Sequence, residues 1–376
     1  MNRRGFFAAS ASSIATVAAA TPASARRRRA GRRALVLIGG ANRGAYEAGA
    51  IQALVQIQGV KDGEPLAFDM VCGTSIGALN AYLVATAQYS SLMRLWRSEI
   101  AASDVFRLKA PYNQIPESSS GILSRVAAAY RLASGMRKDV AGVLDPAPVR
   151  AMLQKYVDPQ APVGLPLYVS TTDITRQQNQ LFFRPATTPA GSAKQALNDE
   201  LLAAYPKVTR LANDDILRDV LFASAAIPLF FDPIDIARDD GSGKIDQYVD
   251  GGITQNMPID VAQLCVDSIH VTLLAPPPSP ADEQYYDDAL SIGYATFETM
   301  QNRILIYQVR LAYALADTLP ISAYIIRPQK PMPGRGTEFD DQAALEEMWQ
   351  RGFADMVQGW VPFVPPTDLL GAVSVH

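Results

Sequence analysis

Two cysteines and two histidines in 376 residues are too few for the common devices that staple or metallate a chain. Cys72 and Cys265 each sit in an apolar stretch, which excludes a disulfide framework and leaves buried free thiols as the expectation. His270 and His376 cannot supply the Cys/His spacing of a zinc site, so no metal is expected. His376 is the terminal residue, and His270 lies inside the apolar run Ile269 to Leu274, where a core histidine is the expected reading. An excess of one charge is missing too: the formal net charge is −3, which argues against general affinity for nucleic acid. The run from Gly5 to Ala20 falls short of the roughly 20 apolar residues of a membrane span, and no internal repeat recurs. What the chain has is apolar material: 48% hydrophobic residues suffice for a large core.

The first residues read as an address. Asn2-Arg3-Arg4-Gly5-Phe6-Phe7 carries a twin arginine, an alanine- and serine-rich run follows, and Ala23-Ser24-Ala25 fits a small-residue cleavage site. Residues 1–25 are therefore expected to be a cleavable export signal, with a periplasmic or secreted destination. Residues 26–33 contain six arginines and read as a solvated tether, with contact to an anionic membrane as a second reading.

From Ala34 the pattern alternates between short apolar runs and helical periodicity, which implies βαβ units around a mainly parallel sheet. Ala34 to Ile38 is the first expected strand, and Phe68 to Cys72 leads into the helical run Ala78 to Ala85. Residues 86–166 read as a mostly helical insertion able to form a cap. Sheet is expected again at Leu167 to Asp173 and, after a long polar stretch, at Phe230 to Ile236. Asp239 to Lys244 reads as a turn whose acids lack the spacing of a calcium loop. A further strand at Ile269 to Leu274, a long helix from Asp282 to Ala316, a strand at Tyr324 to Ile326 and a helix from about Phe339 to Trp360 complete the chain. The apolar stripe of the long helix is read as core, with lipid contact as the alternative.

Chemistry concentrates in three short segments. Gly73-Thr74-Ser75-Ile76-Gly77 stands between a strand and a helix, where a serine is held in a sharp bend beside the first unpaired N–H groups of the helix. Gly73 and Gly77 let the backbone pass closely. The pattern points to acyl transfer by Ser75; the plainer reading is a helix cap. Tyr248-Val249-Asp250-Gly251-Gly252 ends a strand in an aspartate, with Gly251 and Gly252 permitting close approach of another backbone. Burial would raise the pKa of Asp250 toward that of a useful base, although the tripeptide alone reads as a turn. Gly39-Gly40-Ala41 with Arg43 offers backbone donors at a helix start, suited to an oxyanion, while lacking both the dinucleotide fingerprint and the ending of a phosphate loop.

These three pieces, in this order, resemble the patatin-like phospholipase family, with its glycine-rich loop, Gly-x-Ser-x-Gly elbow and Asp-Gly-Gly/Ala turn. Ala223-Ser224-Ala225-Ala226-Ile227-Pro228, followed by Phe230 and Phe231, and Asn256 with Pro258 extend the likeness, which spans about Ala34 to Pro328. The resemblance implies a three-layer α/β/α sandwich with a mainly parallel, mixed sheet. It also implies hydrolysis of lipid acyl esters without metal, cofactor or nucleotide. By position, Ser75 would be the nucleophile, Asp250 the sole base of a Ser-Asp dyad, and Gly39, Gly40, Ala41 and Arg43 the oxyanion region. Ala41 departs from the family, which has a glycine there. The expected organisation is a catalytic domain over residues 34–328 and a helix and tail over 329–376 packed on it. Two rival readings remain at this point: an esterase of the α/β-hydrolase type that uses His270, and a lipid-binding protein whose serine is idle.

Overall fold

The structure is a computed structural model that describes residues 31–362 except 102–104, 116–120, 136–140, 205–207, 212–215, 259–265, 275–294, 302, 305–306, 309–321 and 334–338. The expected leader, most of the arginine tether, Cys265 and His376 lie outside the described residues, as does much of the expected helix from Asp282 to Ala316, of which 295–301 is a described helical stretch.

Ten described strands form one sheet: β1 (Arg33–Leu37), β2 (Met70–Thr74), β3 (Leu167–Asp173), β4 (Gln178–Arg184), β5 (Thr209–Arg210), β6 (Ile234–Ala237), β7 (Ile245–Asp250), β8 (Ser268–Thr272), β9 (Ser322–Ile326) and β10 (Val361–Pro362). Their order is β10-β9-β8-β1-β2-β3-β4-β5, with β7 also paired to β3 and β6 to β7. The centre, β9 to β3, is parallel; β4 and β7 run antiparallel to β3, β6 to β7 and β10 to β9, while β5 pairs in parallel with β4. All residues of β2 and β3 are buried, as strands covered on both faces require, including the polar end of β3 from Ser170 to Asp173.

The helices are α1 (Gly44–Gln58), α2 (Ile76–Ala85), α3 (Tyr89–Arg94), α4 (Gly121–Gly135), α5 (Ala147–Tyr156), α6 (Ala193–Ala204), α7 (Leu217–Ser224) and α8 (Gln342–Gln358). A methyl on Gly73 would meet Ala78 and Ala81, so this side of β2 faces α2. Tyr168 pairs with Cys72, the next residue back, and so points to the opposite face, where its hydroxyl donates to the Leu201 carbonyl of α6 at 2.9 Å. Helices thus cover both faces, giving the α/β/α sandwich.

The fork in β3 positions the site. Its first half, to Ser170, pairs with β2, and its last three residues, from Thr171, pair instead with β7. Thr74 lies opposite Ser170 and Asp250 opposite Thr171, so the end of β7 arrives beside the end of β2.

Two expectations are corrected. The strand read at Phe230 to Ile236 begins only at Ile234; Phe230 and Phe231 are instead buried in the preceding turn, packed on Phe106 and Phe222. The stretch read as polar contains β4, whose Leu181, Phe182 and Phe183 are buried because β3 pairs along its whole length. Within residues 86–166, Leu92, Leu95 and Trp96 are fully buried, and Trp96 donates its indole N–H to Asn80 Oδ1 of α2. That part of the insertion is core.

α8 buries Leu345, Met348, Trp349 and Met356 and starts at Asp341, whose carboxylate accepts the Ala344 N–H at 2.9 Å. It lies directly on α1. A methyl on Gly49 of α1 would strike the Trp349 carbonyl, and one on Gly352 of α8 would strike that of Tyr46, so the two glycines let the backbones touch.

Candidate active site

Ser75 joins β2 to α2 with φ +55° and ψ −132°, a conformation unfavourable for a residue with a side chain. The surroundings hold it there. Its N–H donates to Ser224 Oγ at 2.8 Å, and that hydroxyl donates in turn to the Ser170 carbonyl at 2.6 Å. Gly73 and Gly77 are required by crowding: a methyl on Gly73 would lie 2.5 Å from the Gly77 carbonyl, and one on Gly77 would lie 2.6 Å from the carbonyls of Leu37 and Ile38. The bend aims the hydroxyl at Asp250, to whose Oδ2 it donates at 2.7 Å.

Asp250 is completely buried. Its Oδ1 accepts the Gly252 N–H at 2.7 Å and the Gln301 amide at 3.4 Å. Burial is the largest influence on its carboxyl and raises the pKa from 3.8 to about 7, against the lowering effect of the hydrogen bonds from Ser75 and Gly252. A methyl on Gly251 would collide with the Ser170 carbonyl, so the turn fits only flush against β3.

The loop after β1 faces this pair. The Gly39 N–H, one of the expected oxyanion donors, is already taken: it donates to Asn256 Oδ1 at 2.9 Å. The N–H groups of Gly40 and Ala41 donate to no described group. Ala41 sits at φ +48°, a left-handed conformation that favours glycine, despite its methyl. The Arg43 guanidinium reaches Glu298 at 3.5 Å. Ser75, Asp250 and Asn256 line one cleft with the loop, Ile227 and Leu274, and Phe297, Glu298 and Gln301 roof it. Among the described residues none from 86–166 lines it.

His270 lies elsewhere. It pairs with Leu35, which pairs with Val71, four positions short of Ser75 along β2. Its ring stacks on Tyr324 at 4.9 Å and packs edge-on to Phe68 and Trp360. Burial, assisted by the Arg33 charge, lowers its pKa to about 4, so it is neutral at pH 7.

Sequence reasoning missed Glu47. This carboxylate of α1 is fully buried and accepts the Ile38 N–H at 2.9 Å, the Thr272 hydroxyl at 2.6 Å and the Asn80 amide at 3.0 Å. It ties β1, β8 and α2 together immediately behind the Gly39 loop, and burial pushes its pKa up to about 7. The available signal was an acid amid Ala45, Tyr46, Ala48, Gly49 and Ala50, the first half of a helix that is buried on every side there.

Among the described residues no group of three or more His, Cys, Asp or Glu could hold a metal ion, and no helix is long and apolar enough to cross a membrane. A family model for patatin-like phospholipases matches residues 35–262. No curated protein sequence matches significantly. Among solved structures the chain is similar to VipD from Legionella pneumophila, at 15% identity and a TM-score of 0.36, over 88% of this chain and 68% of that one. It is also similar to the type III effector protein ExoU, at 11% identity and a TM-score of 0.29, over 88% of this chain and 53% of that one. Scores this low add nothing to the family match.

Proposed function

We propose, from the premise that this chain belongs to the patatin-like phospholipase family, that it hydrolyses lipid acyl esters through Ser75 and Asp250 acting directly on one another. The observation that carries the reading is the 2.7 Å hydrogen bond from the Ser75 hydroxyl to a fully buried carboxylate, with no imidazole near it among the described residues. Asp250 takes the Ser75 proton as Oγ bonds to the ester carbonyl carbon, and the carbonyl π electrons move onto oxygen. That oxyanion is met by the N–H groups of Gly40 and Ala41 at the head of α1, whose dipole favours negative charge. Collapse re-forms the carbonyl and expels the alcohol, which leaves with the proton from Asp250. Asp250 then deprotonates water, which attacks the Ser75 ester; collapse breaks the acyl–Oγ bond and releases the fatty acid as Asp250 returns that proton to Ser75 Oγ.

The test is turnover of a short-chain aryl ester by purified Ser75→Ala and Asp250→Asn. General-base action typically contributes about 10²- to 10⁴-fold, so each variant should lose at least about 100-fold while staying folded; wild-type-like turnover in either rejects the dyad. A lipid-binding protein with an idle serine is separated by a fluorophosphonate probe, which should label the native chain at Ser75 and fail to label the heat-denatured chain. The twin arginine at Arg3 and Arg4 and the arginine block support export of the folded protein and attachment to an anionic lipid surface. N-terminal sequencing of the exported protein should find Arg26 first.

A further inference from the structure

Asn256 enters the sequence reading only as part of a resemblance, with no task of its own. In the structure it is 3% exposed and lines the cleft beside Ser75. Its two ends can be told apart, because the Gly39 N–H can only donate and therefore fixes Oδ1 as the acceptor. The amide nitrogen is thereby turned away from Gly39 and has no protein acceptor among the described residues. A methyl built on Gly39 would lie 2.8 Å from Ser75 Cβ and 2.9 Å from Asn256 Oδ1, so the asparagine amide and the nucleophile flank the same backbone point.

The backbone on both sides of Asn256 is fastened. The Gln255 carbonyl accepts the hydroxyls of Thr74 and Ser170, each at 3.2 Å, and the Met257 N–H donates to Gln308 Oε1 at 3.1 Å. A buried side chain tethered at its own oxygen, on a backbone locked to the strand that carries Ser75, has little freedom to turn. That is the condition under which a hydrogen-bond donor stabilises developing charge without reorganising.

We propose that the Asn256 Nδ2 amide is an oxyanion donor that stands in for the Gly39 N–H its own oxygen has occupied, joining Gly40 and Ala41 around the carbonyl oxygen of the substrate. The inference rests on the Ser75–Asp250 reading. It makes Asn256 a catalytic residue in contact with the reacting group. Asp250 and Asn256 then bring proton acceptor and charge stabiliser on one short stretch of chain.

The test uses the full chain and a matched pair of aryl substrates, one an ester and one a thionoester whose carbonyl oxygen is replaced by sulfur, a poor hydrogen-bond acceptor. Asn256→Asp keeps an acceptor for Gly39 and removes the donor; Asn256→Leu removes the donor without adding charge and serves if the aspartate variant does not fold. Ester turnover should fall about 10²- to 10³-fold, the usual effect of losing one such donor, with KM within a few-fold of wild type. The ester-to-thionoester rate ratio should shrink toward one. Turnover within about threefold of wild type, or a large loss with the ratio unchanged, overturns the proposal and leaves Asn256 as a peg for Gly39. An inactive wild type, or an active Ser75→Ala, instead brings down the dyad and this inference with it.

Discussion

At Asp250 the burial that suits the carboxylate to its proposed role as base also makes its ionised form costly to keep in the fold. Its folded pKa of about 7 stands above its ordinary 3.8, so the folded state holds the proton more tightly than the unfolded chain. Its contribution to stability is therefore fully present below about pH 4 and is lost as the pH rises through about 7. The proposed catalysis runs the other way, because only the ionised form can accept the Ser75 proton. The expected kcat/KM profile climbs with a midpoint near pH 7 and levels off above it. Asp250→Asn should melt close to wild type at pH 4 and progressively higher than wild type toward pH 8, by parallel thermal denaturation, while being nearly inactive throughout. Ala41 is a second strained residue. Glycine tolerates φ +48° without penalty, so Ala41→Gly should match or exceed wild-type stability, by up to about 1 kcal/mol in denaturant titration, with turnover retained.

At the scale of elements, the site depends on how tightly a few pieces of backbone approach. Gly49→Ala or Gly352→Ala forces α1 and α8 apart where their backbones touch, and should cost about 1–3 kcal/mol or more by denaturant titration. Ser224→Ala strands the buried Ser75 N–H, with an expected loss of about 1–3 kcal/mol and slower turnover from a loosened bend. What is legible in the sequence is local: the elbow and the Asp-Gly-Gly turn each announce themselves within five residues, because a strand end and its glycines are neighbours in the chain. Ser224 is 149 positions from the N–H it accepts, and nothing near it signals that task. Strand β4 escapes because its polar opening, Gln178-Asn179-Gln180, hides the buried Leu181-Phe182-Phe183. Gly39 looks like a free donor until Asn256, 217 positions away, is seen to occupy it.

For the whole molecule, the stretch matching the family ends at residue 262, and the cleft is completed from beyond it. Phe297, Glu298 and Gln301 roof the cleft, and α8 backs the helix that begins at the Gly40–Ala41 donors. A chain ending at residue 340 lacks the side chains of Leu345, Met348, Trp349 and Met356 that α8 buries, and should yield little soluble protein and no ester turnover, by expression and activity assay. The proposed nucleophile and base, Ser75 and Asp250, both lie well before that point in the chain. On the proposed reading, the glycine-to-glycine seam between α1 and α8 ties activity to completion of the fold: a chain still lacking its last helix would carry both residues while the helix behind their loop has no backing.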